Sequence, residues 1–280
     1  MRNATRVWIN GANGQVGRAI LSELDKTEKE YEVLETDKDV DVTDLKEVTS
    51  FCDINYPDII IHCAATHTMY NDNYNIENIY KVNTLGARNA AIAARRINAK
   101  IIYLSTDDVF DGLLEHSLNE FDMPNPKSVY GKSKFAGEQF IKELCDKHLI
   151  VRSSWIYGKS ENNFVYNLLL KARSGETIYV NENEFSTPTS AKALAKFVVK
   201  LLDTTEYGIY HASCEGRCSR FEFAQEIMKY NNIDCVFVTQ KLDKPINTVL
   251  DNLMMRMTNI YKMPNWKDAL KSFFDDEGGF

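Results

Sequence analysis

Apolar residues in the first half of the chain gather into short, dense runs. Between the runs lie longer stretches in which they recur at helical spacing. The runs are Arg6–Asn10, Tyr31–Glu35, Pro57–Ala65, Lys100–Thr106 and His148–Ser153. Unbroken apolar runs of this length mark strands buried on both faces, as in parallel sheets. The intervening stretches predict a helix from the glycine loop after Asn10 to about Lys26, a long one from Asn75 to about Asn98, and one from Tyr130 to about Lys147. Asp44, with Glu47 three positions on, suits a further helix start. Beyond Ser153 the rhythm is less regular. Asn163–Ser174, Ala191–Asp203, Arg220–Tyr230 and Trp266–Asp275 read as helices, and Thr177–Asn181, Gly208–Ala212 and Cys235–Thr239 as extended segments. Strand–helix alternation predicts an α/β fold with a doubly wound parallel sheet. Residues 1–153 would form that unit. Residues 154–280 would form mainly a smaller α/β lobe over the carboxyl ends of the strands, with some segments returning to the first sheet.

Composition narrows the class. The chain has 280 residues, 44% hydrophobic and 26% charged, with a net charge of −7. That balance belongs to a soluble globular protein and argues against a nucleic-acid-binding surface. No apolar stretch is long enough for a signal peptide or a membrane span, so a cytoplasmic protein is expected. The six cysteines (52, 63, 145, 214, 218 and 235) form no Cys-x-x-Cys pair, and the five histidines are dispersed. Free thiols and satisfied structural or surface histidines are expected, with no metal site.

Candidate chemistry begins at Gly11-Ala-Asn13-Gly14-Gln15-Val16-Gly17, between a strand and a helix. Gly11 permits the tight turn, Gly14 lets the backbone approach a pyrophosphate, and Gly17 lets helix and sheet pack closely. With the helix N-terminus supplying donors, this is the signature of a Rossmann-type dinucleotide-binding unit. Asn13, Gln15 and Val16 would share the phosphate cradle. Asp37 lies twenty positions after Gly17, where an acid accepts hydrogen bonds from an adenosine ribose and favours NADH. Lys38 beside it suits a 2′-phosphate, so NADPH stays open. The small residues Cys63, Ala64 and Ala65 end a buried strand and let a cofactor lie close, and Asn83 in the long helix is a further cofactor contact. Tyr130 and Lys134, four apart on a helix, share one face. An ammonium beside the phenol would lower its pKa and make Tyr130 a proton donor and acceptor near neutral pH. Lys100–Thr106 delivers Thr106, Asp107 and Asp108 at a strand's carboxyl end, where open α/β sheets bind ligands.

In this order the motifs resemble the extended short-chain dehydrogenase/reductases, and within them the dTDP-4-dehydrorhamnose reductase family. They are GANGQVG (Gly11–Gly17), HCAA (His62–Ala65), STDDVFDG (Ser105–Gly112), YGKSKFAGE (Tyr130–Glu138), RSSWIYG (Arg152–Gly158), NNF (Asn162–Phe164), STPTS (Ser186–Ser190), GIYHAS (Gly208–Ser213) and KPINTVLDN (Lys244–Asn252). The resemblance implies reduction of the C4 ketone of a 4-keto-6-deoxy sugar nucleotide by NADH or NADPH, with a dTDP-sugar as substrate. It also implies roles for the residues. Tyr130 would be the proton donor, Lys134 would hold the nicotinamide ribose, and Thr106 would hydrogen-bond the developing alkoxide. Asp41 and Val42 would contact the adenine. Asp107, Asp108, Val109, Phe110 and Trp155 would lie on the sugar side, and Asn163 and Lys244–Asn252 on the diphosphate side.

Three segments depart from the family pattern. Asp108 replaces its tyrosine, Met69–Asn73 its Val-Asp-Lys-Ala-Glu, and Asn183–Ser186 its Asp-Gln-x-Gly. These changes leave the sugar open and weaken any carry-over of the magnesium-assisted homodimer contacts that some members use. Two alternatives remain. A 4,6-dehydratase or epimerase of the same superfamily would use the paired acids Asp107 and Asp108. A non-catalytic NAD(P)-binding regulatory subunit would have no reason to keep Thr106, Tyr130 and Lys134 together.

Overall fold

A computed structural model describes residues 4–67, 75–161 and 163–276. The first half runs β1 (Thr5–Asn10), α1 (Gln15–Leu24), β2 (Tyr31–Thr36), α2 (Leu45–Asn55), β3 (Ile59–His62), α3 (Ile76–Tyr80), α4 (Gly86–Ile97), β4 (Lys100–Thr106), α5 (Val129–Leu144) and β5 (His148–Ser153). The second half contributes β6 (Ile156–Tyr157), α6 (Phe164–Arg173), β7 (Ile178–Asn181), β8 (Glu184–Ser186), β9 (Thr189–Ser190), α7 (Ala191–Leu202) and β10 (Gly208–His211). It ends with β11 (Cys218–Ser219), α8 (Arg220–Asn231), β12 (Phe237–Gln240), β13 (Ile246–Asn247), α9 (Leu253–Thr258) and α10 (Trp266–Asp275).

Six parallel strands form the main sheet in the order β10-β5-β4-β3-β1-β2. Successive strands move one way from β1 to β2 and the other way from β3 onward. The two directions part between β1 and β3, leaving a crevice at the carboxyl ends. Both faces of the sheet are apolar and both are covered. Trp8, Ile60, Ile101, Tyr103 and Ile150 meet the alanine-rich α4 on one side. Val7, Ile9, Ile61, Ile102 and Val151 meet α1 and α7 on the other, in a core that continues into the lobe through Tyr157, Phe223, Trp266 and Phe273. The lobe itself is pieced from short pairings: β11-β8-β13, β12-β7 and β6-β9.

Two helices differ from expectation. The long helix is interrupted by a π-helical turn at Lys81–Leu85. There the displaced Asn83 carbonyl accepts from the Tyr103 hydroxyl at 3.3 Å; such turns often mark functional positions. α5 ends at Leu144 because Cys145 is already extended, φ −135° and ψ 114°.

A buried charge network ties α5 to the sheet. Arg152 Nε and Nη2 donate to the Glu138 carboxylate at 2.9 and 2.7 Å, and Ser105 Oγ donates to Glu138 Oε1 at 2.6 Å. Neither ionic side chain is more than 1% exposed. Removing one partner strands the other charge away from water. Glu138→Ala is therefore expected to cost about 3–5 kcal/mol of unfolding free energy, read from the urea midpoint, with Glu138→Gln losing less because it keeps the Ser105 contact.

Candidate active site

The crevice between β1 and β3 is shaped for a dinucleotide. Gly11 sits at φ +69°, and a Cβ there would lie 2.6 Å from the Ala64 amide nitrogen. Only glycine lets the ends of β1 and β3 approach so closely. Gly17 packs against the Gly11 carbonyl, where a Cβ would come within 2.5 Å. Gly14 caps α1 without a side-chain hydrogen bond, so the first amides of the helix remain open to an anion. Asp37, at the end of β2, accepts from Asn13 Nδ2 at 3.4 Å, which places the acid beside the glycine loop, and Lys38 is exposed next to it. Val42 is buried against Gly86, while Asp41 caps the following turn by accepting from the Thr43 amide at 2.8 Å. These residues fit a dinucleotide: the glycine cradle would take the diphosphate and Asp37 the ribose end. Asn83 does not line this crevice. It is fully buried and braces the site from behind, accepting from the Thr66 amide at 2.8 Å and donating to Ser133 Oγ at 2.9 Å.

Next to the crevice lies a cavity of about 690 Å³, with Gln15, Thr106, Asp108 and Tyr130 on one side and Trp155 and Arg220 on the other. α5 sends Tyr130 into it, and Lys134, one turn on, is buried beneath with its ammonium 4.1 Å from the centre of the Tyr103 ring. Thr106 Oγ1 accepts from the Asp108 amide at 3.2 Å and donates to Asp107 Oδ1 at 3.3 Å. Asp107 also takes the hydroxyls of Thr248 at 2.6 Å and Ser186 at 3.1 Å on Oδ2. Thr248 belongs to the Lys244–Asn252 segment, so that segment reaches the cavity with Ile246 and Thr248.

Electrostatics correct one expectation. Tyr130 is not acidified by Lys134. Burial, and then the Asp108 and Asp107 carboxylates, push the phenol above its ordinary value. Lys134 is itself so far from water that its pKa falls to about 7, with Glu138 opposing the fall. Burial raises both Asp107 and Asp108; the Asp108 carboxylate adds to the rise at Asp107, while at Asp108 the Arg220 cation opposes it and Glu184 adds to it.

Several sequence candidates take other places. Val109 and Phe110 are core residues at 0% and 5% exposure, packed on Leu118 and Leu250. The valine and phenylalanine of STDDVFDG therefore hold the loop rather than a sugar. Asn163 lines the cavity, but its amide is committed to capping α6 through the Tyr166 amide at 3.0 Å and to the carbonyls of Gly158 and Ser160 at 2.8 Å. Met69–Asn73 and Asn162 lie outside the described residues. His62 departs from the expectation of a satisfied histidine. It is fully buried under the crevice, neither ring nitrogen has a partner among the described residues, and burial drops its pKa to about 3.

Other residues gave no signal in the sequence. The His67 ring lies 4.1 Å from that of Tyr130. Arg220 was hidden inside an ordinary helix start, Ser219-Arg-Phe-Glu222. Only proximity in space distinguishes either residue.

Residues 5–278 match the family model described as the RmlD substrate binding domain. The chain belongs to that family. Among its curated relatives is the spore coat polysaccharide biosynthesis protein SpsK of Bacillus subtilis, 31% identical over 97% of this chain and 98% of the relative. Another is the dTDP-4-dehydrorhamnose reductase of Aggregatibacter actinomycetemcomitans, 32% identical over 95% of this chain and 97% of the relative. Among solved structures, the Bacillus anthracis dTDP-4-dehydrorhamnose reductase in complex with NADP superposes with a TM-score of 0.92 at 37% identity, covering 98% of this chain and 99% of that one. This member of the RmlD substrate binding domain family thus shares fold and full length with a reductase crystallised with the dinucleotide that its own crevice suits.

Burying Lys134 gives a stability prediction. Its folded pKa of about 7 lies below the unfolded value of about 10.5, so between these values unfolding takes up a proton and stability rises with pH. Lys134→Met is expected to melt several degrees higher than the parent at pH 7. The gap should shrink as pH climbs toward 10, which thermal denaturation across that range would measure.

Proposed function

We propose that the protein reduces the C4 ketone of a 4-keto-6-deoxy sugar nucleotide, dTDP-4-dehydrorhamnose to dTDP-L-rhamnose, with NADPH or NADH. The observation that carries this reading is the meeting of Thr106 and Tyr130 in one cavity, with Lys134 beneath, beside a glycine cradle at the point where the strand order reverses. The reductases named among its relatives support the substrate.

Gly11–Gly17, Asp37 and the Cys63–Ala65 strand end would hold the dinucleotide, which would supply hydride chemistry when bound. Tyr130 supplies the proton. Its raised pKa keeps the phenol in the acid form at neutral pH, and a developing alkoxide is a strong enough base to take the proton as charge builds. Thr106 gives the same oxygen a hydroxyl donor by releasing its long contact to Asp107. Lys134, buried one turn along α5 against the Tyr103 ring, would hold the nicotinamide ribose beneath the reacting centre. Asp107 fixes the Lys244–Asn252 segment and β8 in place through Thr248 and Ser186. A dehydratase would instead need Asp107 free for acid–base work, and three hydroxyls occupy its carboxylate. The six cysteines are free thiols, which suits a reducing cytoplasm. Among the described residues no helix is long and apolar enough to cross a membrane.

Tyr130→Phe tests the assignment. Turnover of dTDP-4-dehydrorhamnose, followed as loss of NADPH absorbance, is expected to fall roughly a hundredfold or more, with the dissociation constant for NADPH unchanged. Normal turnover by the variant would remove Tyr130 from the reaction.

A further inference from the structure

Trp155 was expected to offer a flat face to the sugar. In the structure that face is covered. Trp155 sits at φ +39°, a conformation costly for a bulky residue and found where the surroundings enforce it. The turn presents the indole to the cavity, and the Arg220 guanidinium lies 3.5 Å over the ring centre. Phe223 stacks with the indole as well, 6.4 Å away between ring centres. Arg220 is held there by a hydrogen-bonded ion pair, Nε to Glu184 Oε1 at 3.1 Å, and by the Phe164 ring at 5.0 Å.

The charges in the cavity make this arrangement unsuited to the substrate. Asp107, Asp108 and Glu184 line the cavity, and Arg220 is the single lysine or arginine among the described residues that do so. A nucleotide sugar brings a diphosphate into this setting, where Glu184 opposes it and low dielectric magnifies its attraction to the one cation. The N-terminus of α8 cannot answer it alone, because Ser219 and Glu222 already close it with a reciprocal capping box. A diphosphate does, however, outbid one carboxylate for a guanidinium, since it offers more charge and several acceptor oxygens in bidentate geometry.

We propose that Arg220 is a substrate-operated latch. Closed, it pairs with Glu184 and covers Trp155. An arriving diphosphate draws it away, and the same movement neutralises the anion and bares the indole for the sugar. Glu184 is then a positioning residue that competes with substrate for the latch. The identity of the anion rests on the reduction reading; the competition rests on geometry alone.

Calorimetric titration with dTDP tests the latch, with NADPH titration as the control for folding and for the separate cofactor site. Arg220→Met should weaken dTDP binding tenfold or more and leave NADPH binding unchanged. Arg220→Lys should recover part of that loss, as a cation without the planar fork. Glu184→Gln should tighten dTDP binding severalfold, because the competitor has lost its charge. In wild type, dTDP should change tryptophan emission, and Trp155→Phe should abolish that change. Wild-type dTDP affinity in Arg220→Met, or unchanged or weaker affinity in Glu184→Gln, would overturn the latch. Should either happen while the wild-type protein still oxidises NADPH with dTDP-4-dehydrorhamnose, the latch falls and the reduction stands. A wild-type protein that binds dTDP with the predicted variant pattern but reduces no keto sugar would leave the latch standing and sink the reduction.

Discussion

The site depends on how closely α5 lies against the end of β4. At Gly131 a Cβ would come within 2.1 Å of the Asp108 carbonyl oxygen, so the first turn of the helix rests on the loop backbone with no side chain between. One turn further, Lys134 meets the face of Tyr103. Two turns on, Glu138 is clamped by Arg152 and Ser105. Three contacts on one helix face thus hold Tyr130 over the cavity and keep Lys134 out of water. The bidentate pair fixes the rotation of the helix, and the glycine fixes its distance.

Burial does most of the electrostatic work that follows. Water is excluded from the ammonium, the phenol and two carboxylates at once, and each responds by favouring its neutral form. The same burial lowers stability, so these groups sit where the fold would be firmer without them. The hydroxyls of Ser186 and Thr248 limit that cost at Asp107 and draw two distant segments onto one carboxylate.

The sugar side is built differently. Its parts come from short strands and helix ends of the lobe: Trp155 from a strained turn, Glu184 from β8 and Arg220 from the first turn of α8. Only Arg220 belongs to a long element, and there to its first turn, so their arrangement rests on stacking and one ion pair. Such a surface can rearrange at modest cost, whereas the cofactor side is anchored in the main sheet.

The parallel sheet, the glycine cradle and the Tyr130–Lys134 pair were legible in the sequence because each depends on local spacing. Apolar runs report burial on two faces, glycines report close backbone approach, and residues four apart on a helix share a face. The π-helical turn at Lys81–Leu85 and the two- and three-residue strands of the lobe were not legible, since long-range contacts decide them. Val109 and Phe110 misled for a related reason: a motif shows that residues belong together in sequence, not which of them face a cavity. The direction of the Tyr130 shift also required the fold. Spacing put a cation near the phenol, but the depth of Lys134 and the carboxylates facing Tyr130 are properties of packing. By itself the sequence determined the elements and the chemical groups. Tertiary structure decided which of those groups lose water and which meet, because desolvation and contact across 65 residues, as between Trp155 and Arg220, exist only once the chain has closed on itself.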